Sequence, residues 1–163
     1  MNFSKLLDPE KALIIREELQ KANKLYVFTN GCFDILHPGH LDYLASARAL
    51  GDYLLVGLNG DASIRRLKGP VRPVNSEEDR AIMLSGLFMV DGVVIFSEDT
   101  PLELINYLNP DILVKGGDWG VDKIVGGKET IARGGKVISL PFVKGYSTSS
   151  LIKRIVDLEA ENS

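Results

Sequence analysis

Short apolar runs alternate with helix-patterned segments along nearly the whole chain, and that alternation leaves few folds open. Leu25–Thr29, Tyr53–Leu58, Val93–Phe96, Ile112–Val114 and Val137–Leu140 are largely apolar runs of strand length. Helix candidates lie between and after them, at 39–50, 77–88, 101–108, 122–133 and 148–160. In the first of these, Leu41, Leu44, Ala45 and Ala49 recur at helical spacing. A leading helix is expected over Pro9–Ala22, with Pro9 in its first turn after Asp8. Strands that are apolar on both faces and separated by helices predict a parallel sheet covered on both sides. In such sheets ligands bind at the carboxyl ends of the strands, near the point where strand order reverses. The 163 residues suit one domain, with 1–23 as the leading helix and 24–156 as the core. Asn59–Asn75 is the longest irregular stretch, and a mobile loop is expected there.

Charge and cysteine content narrow the partners. The net charge of −3 argues against a general nucleic-acid binder, which carries a basic face. A single cysteine, Cys32, excludes an intramolecular disulfide. Tyr53–Val56 and Val93–Phe96 are far too short to span a bilayer, and Met1–Lys5 has no apolar core of the signal-peptide kind. The expectation is a cytoplasmic protein without membrane or nucleic-acid partners. One local basic excess stands out, Arg65, Arg66, Lys68 and Arg72. By composition alone it is a solvated loop.

The first strand runs into Thr29-Asn-Gly-Cys-Phe-Asp-Ile-Leu-His-Pro-Gly-His40, which holds both histidines of the chain. Asn30-Gly31 makes a tight exit from the strand, and Pro38 suits a first helical turn. Gly39 leaves the backbone open to a phosphate. A helix N-terminus offers unpaired N–H groups and partial positive charge, so it favours an anion. His37 and His40, three residues apart on that turn, add donors on one side. Zinc is a weak reading, because no third ligand sits at a suggestive spacing.

Three further segments carry chemistry. Lys115-Gly-Gly-Asp118 follows the fourth strand, where two glycines admit a base or ribose to the backbone. Trp119, next in sequence, either stacks on a ligand or covers the loop. Ser147-Thr-Ser149 opens the last helix, either as a plain cap or as a second anion site. Asp34 is expected at the ligand, since a carboxylate beside a phosphate site is otherwise costly. Asn59 and Asp61 end the second strand, within reach of an acceptor. Arg80 in Glu77-Glu-Asp-Arg80 reads as a helix ion pair, Cys32 as a small buried residue, and Arg65 and Arg66 as solvated.

His37-Pro-Gly-His40 is an instance of His-x-Gly-His, and here the sequence resembles the nucleotidylyltransferase superfamily. Class I aminoacyl-tRNA synthetases share the motif but are much larger. Together with Arg66-Leu-Lys-Gly-Pro-Val-Arg-Pro73, Lys115–Asp118 and Ser147–Ser149, the chain is similar to heptose 1-phosphate adenylyltransferases, the nucleotidyl-transferring half of ADP-heptose synthases. The likeness covers roughly residues 24–156. It implies a Rossmann-like α/β single domain with a parallel five-stranded sheet and helices on both faces. It implies that His37 and His40 contact ATP phosphates and that Lys68 bridges the donor and acceptor phosphates. Asn30, Gly31, Cys32, Phe33, Gly39, Lys115, Gly116, Asp118, Ser147, Thr148 and Ser149 would meet the nucleotide. Asp34, Asn59, Asp61 and Arg72 would meet the sugar phosphate. Mg²⁺ would enter with the triphosphate, and no protein ligand to it is named. A homodimer, and a separate kinase that supplies the sugar 1-phosphate, are further implications. Glycerol phosphate or ethanolamine phosphate cytidylyl transfer, and a non-catalytic nucleotide-binding module, remain open alternatives.

Overall fold

The computed structural model describes residues 4–117 and 120–161. After helix α1 (Pro9–Lys21) come β1 (Tyr26–Gly31), α2 (Pro38–Arg48), β2 (Tyr53–Asn59), α3 (Asp61–Lys68), α4 (Glu77–Ser85), β3 (Gly92–Phe96), α5 (Leu102–Leu108) and β4 (Ile112–Gly116). A 3₁₀ turn (Val121–Lys123), α6 (Gly127–Ala132), β5 (Lys136–Leu140) and α7 (Thr148–Glu161) complete the chain. The strands pair in parallel in the order β3-β2-β1-β4-β5. The chain leaves β1 toward β2 and β3, then crosses to β4 on the other side of β1. Between β1 and β4 the connections diverge, and this is the switch point where such sheets bind ligands.

Alternation along the strands builds two cores. Val27, Leu54, Val56 and Leu58 face one side, where Leu44 and Ala47 of α2 and Ala81 and Leu84 of α4 cover them. Tyr26, Phe28, Leu55 and Leu113 face the other, under Ala12 of α1 and Leu104, Ile105 and Leu108 of α5. Successive strand side chains point to opposite faces, so a run apolar throughout is buried on both. The expected α/β sheet with helices on both faces is what the chain forms, and each expected strand is present to within two residues at its ends.

Three expectations about helices change. Asn59–Asn75 is not wholly irregular, because Asp61–Lys68 forms α3. Its Ser63 and Ile64 are buried, Leu67 is exposed, and most of its surface is charged. The segment expected at 122–133 is two pieces, broken at Gly126, whose φ of 80° no right-handed helix accepts. The segment expected at 77–88 stops at Ser85, with Gly86 as its cap.

Candidate active site

A cavity of ≈ 960 Å³ opens over the carboxyl ends of the strands. Its centre is the β1–α2 corner. His37 is the N-cap of α2, and its Nδ1 accepts from the His40 backbone N–H at 3.3 Å. The same N–H donates to the His37 carbonyl at 2.8 Å, and Nε2 is the ring nitrogen with no partner among the described residues. The His37 and His40 rings are stacked, with centroids 3.7 Å apart and planes 14° from parallel. Phe33 sets its edge against His40. The missing side chain at Gly39 has a use apart from ligand approach: a Cβ there would lie 3.1 Å from Tyr146 Cβ and 3.2 Å from His37 Nδ1.

Electrostatics keep this corner neutral before a ligand arrives. Burial lowers the His37 pKa. Burial, then the facing His37 and the Lys68 ammonium, push His40 down to about 4. Both rings are therefore neutral hydrogen-bonding groups at pH 7. His40 Nδ1 is buried and makes no hydrogen bond among the described residues. A buried polar atom left in that state costs about 1–3 kcal/mol, and its place beside the cavity gives the cost a functional reading.

The half of the cavity over β4 and β5 is apolar and hydroxyl-bearing. Lys115 and Gly116 are the last residues of β4 rather than a loop beyond it, and Lys115 Nζ donates to Asn30 Oδ1 at 3.2 Å. Burial lowers the Lys115 pKa. Val125, Phe142, Val143 and Tyr146 line the wall. Ser147, Thr148 and Ser149 close it at the start of α7, where Ser147 Oγ accepts from Ser150 N at 3.1 Å. Asp118 and Trp119 lie outside the described residues.

The half over β2 and β3 is polar and cross-tied. Asn59, Leu67, Lys68, Arg72, Asp99, Thr100 and Pro101 line it. Lys68 ends α3 and forms no ion pair among the described residues. Arg72 lies close by, but its Nε donates to Asp34 Oδ2 at 2.6 Å. Cys32 is half-buried and lines the cavity beside Asn30, Gly31 and Phe33; it is not the fully buried residue expected.

Several charged residues of this half are tied to protein neighbours. Asp34 is only 3% exposed and lies outside the cavity lining. Its carboxylate takes Arg72 and the backbone N–H groups of Val74 and Asn75, while Asn75 Nδ2 donates to the Asp34 carbonyl. Burial raises the Asp34 pKa but these donors outweigh it, and the net shift is downward. Asp34 thus shapes the loop that bears Arg72. Asp61 also lies outside the lining, paired at 2.7 Å with Arg80. Arg80 is no surface helix pair: at 1% exposure it donates to the carbonyls of Asn75, Cys32 and Asn59 and to the Asp61 carboxylate. One guanidinium therefore ties together the exits of β1 and β2 and the loop before α4. Arg66 is also engaged, with Asp99 Oδ1 and the Ser97 carbonyl.

Asp99 is the one carboxylate among the cavity's described lining residues, and it is turned to Arg66. No group of three or more His, Cys, Asp or Glu suited to a metal occurs among the described residues. The donors on the described lining suit phosphate oxygens.

A parallel sheet with its switch point at β1, and a basic, hydroxyl-lined cavity built on His-x-Gly-His, define a nucleotidyltransferase of Rossmann-like fold. The chain belongs to the cytidylyltransferase-like family, whose model matches residues 28–154. Among curated proteins it is 55% identical over 157 residues to the bifunctional protein HldE of Campylobacter jejuni serotype O:2, covering 94% of this chain and 33% of that protein. It is 53% identical over 154 residues to the bifunctional protein HldE of Syntrophotalea carbinolica, covering 94% and 31%. The chain thus spans about a third of the length of these relatives. Among solved structures it resembles the lipopolysaccharide core biosynthesis protein of Thermoplasma volcanium, with TM-score 0.60, 30% identity, and 76% and 99% of the two chains covered. Pantoate-beta-alanine ligase from Francisella tularensis, at 17% identity and TM-score 0.59, shares the fold. No helix among the described residues is long and apolar enough to cross a membrane.

Proposed function

We propose that the chain transfers the adenylyl group of ATP to D-glycero-D-manno-heptose 1-phosphate, giving ADP-heptose and pyrophosphate for lipopolysaccharide or other surface-polysaccharide precursors. One observation carries the reading: two histidines, two lysines and a hydroxyl-rich helix start converge on a single cavity at the switch point. The high identity to HldE proteins and the likeness to a lipopolysaccharide core biosynthesis protein support the acceptor.

The chemistry needs no general base. A phosphate oxygen of the acceptor, ionised at neutral pH, attacks the α-phosphorus of ATP. The bond from that phosphorus to the bridging oxygen breaks, and its electron pair leaves with pyrophosphate. What the protein must supply is alignment and stabilisation of charge. His37 offers its Nε2–H to a phosphate as a neutral donor, and His40 adds its ring beside it. Lys68 is the cation between donor and acceptor phosphates, with Arg72 beside it. The backbone at Asn30, Gly31, Lys115 and Gly116 receives the nucleoside, and Ser147–Ser149 receive phosphate oxygens. Magnesium, brought with the triphosphate, would supply charge neutralisation, and no residue of this chain is assigned to hold it. The active form is a cytoplasmic homodimer, and a sugar kinase, separate from this domain, makes its substrate.

The test is a pyrophosphate-release screen of the four nucleoside triphosphates against sugar 1-phosphates, glycerol phosphate and ethanolamine phosphate. Release is expected with ATP and a heptose 1-phosphate. Release only with CTP and an alcohol phosphate would overturn the reading. Tight ATP binding without any release would leave a binding module.

A further inference from the structure

We infer that Asp99 and Thr100, in the loop between β3 and α5, read the hydroxyl groups of the acceptor and so select a phosphorylated sugar over a simpler phosphate ester. The inference rests on the adenylyl-transfer reading and deepens it. Both residues line the same cavity as Lys68, and Asp99 is paired with Arg66 of the helix that ends in Lys68. Asp99 is the only carboxylate among the described lining residues. In a cavity otherwise furnished with lysines, histidines and hydroxyls, a carboxylate repels phosphate. Its chemistry fits a different part of the acceptor. An ionised carboxylate only accepts hydrogen bonds, and sugar hydroxyls are donors that match it.

The loop is held ready for that task. Asp99 Oδ1 accepts from Arg66 Nε at 2.6 Å, and its other oxygen makes no hydrogen bond among the described residues. Arg66 also donates to the Ser97 carbonyl at 2.6 Å. Ser63, fully buried in α3, donates to the Glu98 carbonyl at 3.0 Å and accepts from Asn59 Nδ2 at 3.1 Å. These ties anchor the loop to the helix that ends in Lys68. A phosphate at Lys68 and a sugar ring toward Asp99 and Thr100 would therefore be placed by one connected unit, held by the buried Ser63 and by the more exposed Arg66–Asp99 pair. The Thr100 hydroxyl, exposed and without a partner among the described residues, adds a donor or acceptor. The carboxylate also acts against wrong acceptors, since an ester without hydroxyls leaves it facing a second anion.

Steady-state kinetics on the full chain test this with Asp99→Asn, Asp99→Ala, Thr100→Val and Arg66→Gln. Loss of a hydrogen bond to a charged group should raise KM for the heptose 1-phosphate about 10- to 100-fold in the Asp99 variants, and less in Thr100→Val. KM for ATP should stay within about two-fold, and inhibition by methyl phosphate, which has no hydroxyl to lose, should not weaken. Arg66→Gln breaks the ion pair but keeps the carboxylate, so its KM for the sugar should stay well below that of Asp99→Asn. An unchanged sugar KM in Asp99→Asn would overturn the inference. So would an equal rise in both KM values, or an Arg66→Gln variant that copies Asp99→Asn, because the pair would then be a brace only. Each of those results leaves adenylyl transfer standing. A parent protein that uses no sugar 1-phosphate would overturn both.

Discussion

The two flanks of the cavity are built in opposite ways. Over β2 and β3 the wall is fastened by charge: Arg80 to Asp61, Arg72 to Asp34 and Arg66 to Asp99. Beneath them Glu77 Oε2 accepts from Asp61 N at 2.6 Å. Over β4 and β5 the wall is apolar side chains and hydroxyls, and its outermost element, α7, has no buried residue. Phe142 and Tyr146 there are exposed. Preorganised charge lowers a barrier only when it is already in place as the transition state forms. The fastened flank suits the step in which charge moves, and the loose flank suits admission and release of a nucleotide. Segments with few buried contacts open at low free-energy cost.

The largest expected effect falls on the fastened flank. Lys68→Ala should lower kcat about 10²- to 10³-fold, as removal of one preorganised charge stabiliser does, with ATP affinity nearly kept. Stopped-flow kinetics and calorimetric binding of ATP separate the two. A loss of ATP affinity with kcat intact would move Lys68 to the nucleotide side of the comparison.

Arg80→Ala tests whether the fastening is structural. It strands three backbone carbonyls and a partly buried carboxylate, so stability should fall by about 3 kcal/mol in urea unfolding. A change near zero would mean that water replaces the guanidinium without cost.

The histidine corner between the flanks predicts a pH dependence. Unfolded chains take up protons on histidine near pH 6.5, whereas folded His40 does so only near pH 4 and folded His37 below its ordinary value. The unfolded state therefore binds more protons in that window. Stability should be full above pH 6.5 and fall as pH drops toward 4, with a shallower slope in His40→Asn. The contribution of Asp34, whose pKa is lowered from 3.8, disappears at still lower pH. A slope unchanged by His40→Asn would place that proton uptake elsewhere.

The smallest effect concerns α7. Its amides should exchange faster than those of α4 without ligand and slow when ATP binds, while α4 amides change little. Equal protection of both helices in the free protein would erase the difference between the flanks.

The sequence makes the strands and the β1–α2 corner readable because their signals are local. Apolar runs between turn residues mark the strands, and His37-Pro-Gly-His40 carries its cap, its first turn and its donors within four residues. The fastened flank is less readable. Helix α3 exposes mostly charged residues and buries only Ser63 and Ile64, so its periodicity is faint. Arg80 sits in Glu77-Glu-Asp-Arg80, a pattern common on solvated helices; its partners Cys32 and Asn59 are distant in sequence. Asp34 looks like a ligand group because Arg72, Val74 and Asn75 are equally remote. Asp99 and Thr100 had a usable signal, since they follow a strand of a parallel sheet at its ligand-binding end.

The central claim is that the α-phosphorus of ATP moves to a sugar 1-phosphate. The direct measurement is the fate of label from [α-³²P]ATP and [γ-³²P]ATP incubated with the protein and a heptose 1-phosphate. The account predicts that the α label appears in a nucleotide sugar and the γ label in pyrophosphate. A γ label in the sugar product, or no α label there, would contradict it.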